Sequence, residues 1–298
     1  VKFFHNIYNL LMPELPEIEI VKRSLNKMIN CAKIINVKVK NKNLRYKLPD
    51  KFNEKLVNEK ILKISRRAKY LIFHFRKKIL LIHLGMTGKL LLLKKKNNEL
   101  IKTSFYYDLN IIKKHNHVYF ILNNGYILIY NDVRRFGFIK FYKNININDI
   151  IFLKKLGVEP LNKFFNTKYF QKFIENKKKN IKNLLMDQTF VSGVGNIYAN
   201  EALFMSKINP LRLSSGLKKK EIKKLISCVK TVLKFSILKG GSSIRDFKNI
   251  SGKIGDFQSF FKVYGRENKN CSRISCKGKI KKISISSRSS FYCNTCQK

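Results

Sequence analysis

The segment Met12-Pro13-Glu14-Leu15-Pro16-Glu17 divides this chain into two unlike parts. Downstream of it a helix opens. Pro16 suits a first turn, where a missing N–H costs nothing, and Glu17 and Glu19 complement the positive end of the helix dipole. Ile18, Val21, Leu25 and Met28 then recur at helical spacing and give the helix one apolar face. Upstream, Val1 to Met12 carries Lys2, but His5, Asn6 and Asn9 interrupt any apolar run and no small-residue cleavage site follows, so no secretory leader is expected here.

Beyond the helix the periodicity changes. From about Ala32 to Tyr142 it predicts strands, among them Tyr70 to Phe75, Ile79 to Leu84, Leu90 to Leu93, Val118 to Leu122, Tyr126 to Tyr130 and Phe138 to Tyr142. Asn123-Asn124-Gly125 is a hairpin turn, since Asn and Gly tolerate positive φ. Short antiparallel strands in succession predict a sandwich or barrel. Asn144 to Asp149 is polar and predicts a linker. From Asn166 the pattern is helical; Leu217 to Leu238 carries a stripe of Leu225, Val229 and Val232 and ends at Gly240-Gly241. The expected class is α+β: helix, antiparallel β domain, helical domain and a small metal module.

The chain has 298 residues, and 63 Lys+Arg against 18 Asp+Glu give a formal charge of +45, which points to a polyanionic partner, nucleic acid above all. Only 12 of the basic residues are Arg, and Lys, Asn and Ile abound, so AT-rich codon usage supplies part of the excess. At 44% hydrophobic and 12% aromatic, the chain is not wholly disordered. Its longest apolar tract, Ile79 to Leu93, is broken by His83 and Lys89 and falls short of the roughly 20 residues a membrane span needs. No membrane association is expected, and a reducing, cytoplasmic setting follows. There, Cys271 and Cys276, with four residues between them, and Cys293 and Cys296, with two between them, suit one tetrahedral zinc rather than disulfides. All four ligands are protein, so that zinc is structural. Lys277, Lys279, Lys281, Lys282 and Arg288 between the pairs suggest a ribbon that touches nucleic acid. Cys31 and Cys228 read as core residues.

Three further motifs stay open on the residues alone. Ser192-Gly193-Val194-Gly195-Asn196-Ile197-Tyr198 places glycines at a helix start, which suits either a phosphate contact or a tight turn between helices. A dinucleotide site is excluded, because no strand leads in and no third glycine follows. Arg66-Arg67-Ala68-Lys69-Tyr70 and Asp132-Val133-Arg134-Arg135-Phe136-Gly137 lie at strand ends. Each reads first as a solvated edge and second as a wedge that enters a groove.

Taken in order, these motifs resemble the formamidopyrimidine-DNA glycosylase family. Met12 to Glu17 resembles its N-terminus. Arg66 to Tyr70, His83-Leu84-Gly85-Met86-Thr87-Gly88, Asp132 to Gly137, Leu156-Gly157-Val158-Glu159-Pro160-Leu161, Leu185-Met186-Asp187, Gly193 to Tyr198, Gly240-Gly241, Val263-Tyr264-Gly265-Arg266 and the terminal cysteines resemble its later blocks, over residues 12 to 298. Leu15 favours the purine enzyme over endonuclease VIII, which usually opens Pro-Glu-Gly-Pro-Glu. The resemblance implies a base-excision repair glycosylase and abasic-site lyase acting on damaged double-stranded DNA as a monomer in the cytoplasm, at the nucleoid. Its substrates would be 8-oxoguanine and formamidopyrimidines. It implies Pro13 as an amine nucleophile, Glu14 as its proton-handling neighbour and Lys69 at the lesion and adjoining phosphate. Met86, Arg134 and Phe136 would fill the space of the flipped base and test the orphaned cytosine. Asn196, Arg288 and Lys179 would contact DNA, Glu17, Tyr198 and Glu201 would surround the lesion pocket, and the four cysteines would bind one Zn2+. A helix–two-turn–helix element would lie around Gly193 to Ser206. The implied division is an extension at 1–12, a catalytic β-sandwich at 13–143, a linker at 144–162, a helical domain at 163–262 and a zinc finger at 263–298.

Two features depart from the family pattern: the first cysteine pair usually has two residues between its members and here has four, and Val133 stands where a proline is usual. Since an amide nitrogen cannot form a Schiff base, Met12 is the expected start and residues 1–11 are expected to be upstream sequence misread as coding. The rival expectations are a DNA-binding protein of this fold without activity and an RNA-binding zinc ribbon. The latter leaves Pro-Glu-Leu-Pro-Glu unexplained.

Overall fold

In the computed structural model the first helix, α1, spans Leu15–Ile29. Its residues Ile18, Val21 and Leu25 are buried against the first core, as their spacing predicts, while Met28 packs there only partly buried and Ile29 takes the buried place at the end of the helix. The structure describes residues 12–96, 99–101, 112–175, 177–241 and 257–298; the expected extension at 1–11 lies outside the described residues.

Nine strands follow α1: β1 (Ile34–Val39), β2 (Lys63–Arg67), β3 (Tyr70–His74), β4 (Lys78–His83), β5 (Gly88–Lys94), β6 (Glu99–Ile101), β7 (Asn116–Leu122), β8 (Tyr126–Asp132) and β9 (Phe138–Lys143). They form two antiparallel sheets, ordered β1-β7-β8-β5-β6 and β2-β3-β4-β9. Alternate residues such as Leu90 and Leu92, Phe120 and Leu122, and Leu80 and Ile82 meet between the sheets in the same core as α1. The predicted hairpin turns between β7 and β8, with Gly125 at φ +83°.

The run Ile79 to Ile82 is apolar throughout because β3, β4 and β9 are covered on both faces. Ile72, Leu81 and Phe138 pack outward against Ile150 and Leu153, with Ile145 and Ile147 alongside. The stretch expected to be a polar linker therefore alternates: its isoleucines pack, its asparagines face water, and it leads into the short α3 (Ile151–Lys154). The small helix α2 (Phe52–Leu56) closes one end of the sandwich core.

A second core joins α4 (Thr167–Ile174), α5 (Ile181–Met186), α6 (Asn196–Ser206) and α7 (Lys219–Leu238). Leu225, Val229 and Val232 form the buried stripe of α7, as predicted. The last two strands, β10 (Ile280–Ile285) and β11 (Arg288–Cys293), make an antiparallel hairpin that rests on α6 through Phe204, Val263 and Phe291. Among the described residues no helix is long and apolar enough to cross a membrane.

Cys228 is buried, but Cys31 is exposed. It sits at φ +63°, where the chain turns out of α1, while its neighbours Ile29 and Ala32 take the core positions.

Candidate active site

A cavity of about 620 Å³ opens where the two large cores and the β10–β11 hairpin meet. Met12 and Glu14 enter it from the start of α1, Lys69 from the β2–β3 turn, and Met86 and Arg134 from two sandwich loops. Asn196 arrives from the first turn of α6, Tyr264 from the segment before the hairpin, and Arg288 from the hairpin itself.

Glu14 is 3% exposed. Its Oε1 accepts the Ile197 N–H at 2.9 Å, while its buried Oε2 has no partner. The first turn of α6, which suited a phosphate on sequence grounds, thus receives a carboxylate from α1. Gly195 permits this approach: a Cβ there would stand 2.3 Å from the Glu14 carboxyl carbon. The two segments are also tied by Leu15 N–H donating to the Gly193 carbonyl at 3.1 Å. Burial pushes the Glu14 carboxyl up to about 7, against the opposing pull of Lys69 and the α6 amides and with some help from the charge of Glu17. Burial likewise lowers the Lys69 ammonium, with Glu14 opposing and Arg288 assisting. Pro13 is buried, and Met12, directly before it, stands in the cavity.

Lys69 owes its position to an ion network. Ala68, beside it in the two-residue β2–β3 turn, adopts φ +52°, a left-handed conformation uncommon for alanine. Glu159 accepts the Ala68 N–H at 2.6 Å, and Arg66 donates to the Ala68 carbonyl at 2.9 Å. Arg66 also pairs with Glu159 and Glu19, at 2.9 and 3.0 Å. Arg67 donates to Ser192 and to the Leu156 and Gly157 carbonyls. These arginines are not the solvated strand edge that local sequence suggests; beyond the turn itself their acceptors lie 47 residues away at Glu19, 93 at Glu159 and 125 at Ser192, and cannot be seen from the motif.

The cavity lining does not include Glu17, Tyr198 or Glu201, which the resemblance puts around a lesion pocket. All three are buried behind the wall. Glu17 accepts the Glu14 N–H at 2.9 Å and the Tyr198 hydroxyl at 2.5 Å. Burial, then the charges of Glu17 and Glu14, keep the Tyr198 phenol protonated well above its usual range. Glu201 accepts three successive N–H groups, from Lys262, Val263 and Tyr264, between 2.8 and 3.0 Å, and so sets Tyr264 in the cavity. Lys179 stands apart and pairs with Asp187 at 2.8 Å.

Asn196 donates to the Ser289 carbonyl at 3.0 Å, which fixes the hairpin tip bearing the exposed Arg288. Phe136 is 43% exposed on the loop of Arg134, and that guanidinium lies over its ring at 4.3 Å from the centroid. Sequence reasoning assigned no role to Tyr264, His83 or Gln188, which also line the cavity. Each lies in or beside a motif, but one strand or turn offers no sign of which way a side chain faces.

At the far end of the hairpin, the four sulfurs of Cys271, Cys276, Cys293 and Cys296 lie within 4.8 Å of one another. Cys271 and Cys296 are 3.8 Å apart and Cys276 and Cys293 3.6 Å. Tetrahedral zinc with Zn–S bonds of ~2.3 Å requires sulfurs about 3.8 Å apart, so the donor set fits one structural zinc despite the wider first pair.

Comparison with known proteins places this geometry. Residues 12–139 match the formamidopyrimidine-DNA glycosylase N-terminal domain, 156–248 the formamidopyrimidine-DNA glycosylase H2TH domain, and 269–298 the zinc finger found in FPG and IleRS. A formamidopyrimidine-DNA glycosylase of Bartonella tribocorum is 42% identical over 300 residues, covering 96% of this chain and all of the relative. A point mutant of the Lactococcus lactis FPG, in complex with DNA containing Fapy-dG, superposes with a TM-score of 0.84 at 33% identity, over 96% of this chain and 100% of that one. The L. lactis Fpg bound to DNA with an abasic site gives 0.83 at 32% identity, over 96% and 99%.

Proposed function

The chain belongs to the formamidopyrimidine-DNA glycosylase family, and from that premise we propose that it is a bifunctional repair enzyme, which excises 8-oxoguanine and formamidopyrimidines from duplex DNA and cuts the resulting abasic strand by β,δ-elimination. The observation that carries the proposal is the junction at Met12 and Glu14. Removal of Met12 from the cavity uncovers the Pro13 nitrogen as a secondary amine, beside a buried carboxyl with one unpartnered oxygen. A terminal amine titrates near 8, so a useful fraction is neutral at physiological pH.

The neutral Pro13 nitrogen attacks the sugar C1′, the damaged base leaves with the bonding electrons, and the N–H proton that the alkylated nitrogen then sheds goes to the departing base. Glu14, protonated up to about pH 7, gives its proton to the ring oxygen as the C1′–O bond opens, leaving an iminium on Pro13. Loss of a C2′ proton then expels the 3′ phosphate, and a second elimination expels the 5′ phosphate. Lys69, Asn196 and Arg288 neutralise and grip the phosphates around the flipped nucleotide, and Lys179 adds a contact on leaving Asp187. Met86, Arg134 and Phe136 fill the vacated stack, offsetting a flipping cost of a few kcal/mol. Glu17, Tyr198 and Glu201 act from behind the wall, by holding Glu14 and Tyr264. Zinc supplies structure to the finger and no chemistry to the reaction. The enzyme works as a cytoplasmic monomer on the nucleoid, and its mature chain begins at Pro13.

Single-turnover cleavage of a duplex with one 8-oxoguanine opposite cytosine tests this. We expect base release and cuts on both sides of the sugar, and their loss in Glu14→Gln without loss of binding. Tight binding with no cleavage by the unaltered enzyme makes the chain a binder of this fold without activity.

A further inference from the structure

Met86 and the Arg134–Phe136 pair stand on two separate loops of the sandwich. One loop joins β4 to β5 and the other joins β8 to β9, so each crosses from one sheet to the other. Strand pairing sets the bases of the two loops side by side, His83 opposite Phe138 and Gly88 opposite Asp132, but the ladders stop there and do not hold the tips.

A buried polar link does. Asp132 is fully buried at the end of β8. Its Oδ1 accepts the Thr87 hydroxyl at 2.5 Å; its Oδ2 accepts the Gly137 N–H at 2.8 Å and the Tyr130 hydroxyl at 3.3 Å. The Thr87 oxygen in turn accepts the Arg134 N–H at 3.1 Å. One carboxylate therefore holds the far end of the Arg134 loop directly, and its near end through the hydroxyl of the residue after Met86. The Asp132 carbonyl is bonded to His117 Nε2 at 2.7 Å, which anchors the node to β7. The loops also touch through backbone: a Cβ on Gly85 would stand 2.5 Å from the Gly137 nitrogen.

We propose that Asp132 and Thr87 are positioning residues that join the Met86 loop and the Arg134–Phe136 loop into one rigid probe of the base pair at the lesion. The proposal rests on the wedge role assigned above to Met86, Arg134 and Phe136. With the tips linked, insertion of Phe136 and reading of the opposite base by Arg134 occur as one event. With the link broken, each loop pays its ordering entropy separately.

The Thr87 hydroxyl both donates and accepts, and Thr87→Val removes both bonds while keeping the shape. Thr87→Ser keeps both. Asp132→Asn retains a single acceptor oxygen, which serves one loop or the other. The experiment measures kcat/KM for 8-oxoguanine opposite cytosine and opposite adenine, in the intact enzyme and in a Phe136→Ala background. We expect Thr87→Val to lower kcat/KM on the cytosine duplex about tenfold and to bring the two duplexes several-fold closer together. Asp132→Asn should act in the same direction, and Thr87→Ser should restore the unaltered behaviour. In the Phe136→Ala background the Thr87→Val loss should vanish, since no wedge remains to be held. An equal loss in both backgrounds means that Thr87 only supports the fold, and that result overturns the proposal, as does Thr87→Val matching the unaltered enzyme. If Phe136→Ala by itself changes nothing, the wedge role fails first.

Discussion

Glu14 accepts an N–H from the first turn of α6 through one oxygen and keeps the other buried and unpartnered, and its titration near 7 has two consequences. The folded protein binds the Glu14 proton more tightly than the unfolded chain, whose carboxyl titrates near 4.5. Its contribution is therefore full below 4.5 and declines as pH rises toward 7; above that the fold carries an ionised carboxylate in a dry site. A shift of this size corresponds to about 3 kcal/mol, so Glu14→Gln should raise the midpoint of thermal unfolding at pH 8 and leave it nearly unchanged at pH 4, while abolishing strand cleavage. The second consequence concerns rate. Cleavage should fall on the acid side as the Pro13 amine protonates and on the alkaline side as Glu14 ionises. Because the Lys69 charge pulls the Glu14 titration down, Lys69→Met should move the alkaline limb of the residual activity to higher pH. A limb that stays in place in the pH–rate profile would remove Glu14 as the group responsible.

At the scale of elements, the beginnings of α1 and α6 are one structure. Sequence shows each of them: Pro16 and the acidic first turn announce α1, and glycines announce the start of α6. It does not show that Glu14 occupies the α6 terminus, because the two lie 183 residues apart. The choice between phosphate contact and tight turn therefore stayed open, and neither reading foresaw the carboxylate that arrives from α1. The same limit governs Arg66 and Arg67, whose acceptors come from Glu19, Glu159 and Ser192, and Glu201, which reads as a pocket residue but folds as the anchor of Tyr264. Strand and helix placement fared better, because apolar period is local. Gly195 gives the element-scale test. Gly195→Ala adds a methyl group where the Glu14 carboxyl sits and should displace it, with at least a hundredfold loss of cleavage in single-turnover assays and a stability loss of about 1–3 kcal/mol by denaturant melts.

Across the whole molecule, the sandwich core, the helical core and the finger are separate hydrophobic clusters that meet at the cavity. We propose that they act as three bodies, divided near residues 143, 163 and 263, which close on DNA together. The finger is too small to hold its shape by its own apolar contacts, so removal of zinc by a chelator should release the β10–β11 hairpin. The tip carrying Arg288 would then lose its tie to Asn196, and affinity for a duplex should fall at least tenfold in a fluorescence titration, with the sandwich still folded by circular dichroism. The formal charge of +45 gives a further expectation: affinity should fall steeply with salt, each phosphate contact contributing about 0.9 to the slope of log K against log salt. The four cysteines and the charge were legible in the sequence as spacing and count. How the finger docks was not, since the Asn196 bond to the Ser289 carbonyl joins segments 93 residues apart.

The central claim is that the Pro13 nitrogen is the nucleophile, and borohydride trapping tests it most directly. A duplex with 8-oxoguanine opposite cytosine is reacted with two versions of the chain, one beginning at Met12 and one at Val1, and the adducts are mapped by peptide mass. The account predicts a covalent adduct on Pro13 with the version beginning at Met12, after loss of that methionine, and none with the version beginning at Val1. An adduct on a lysine such as Lys69, or equal trapping by both versions, would contradict it.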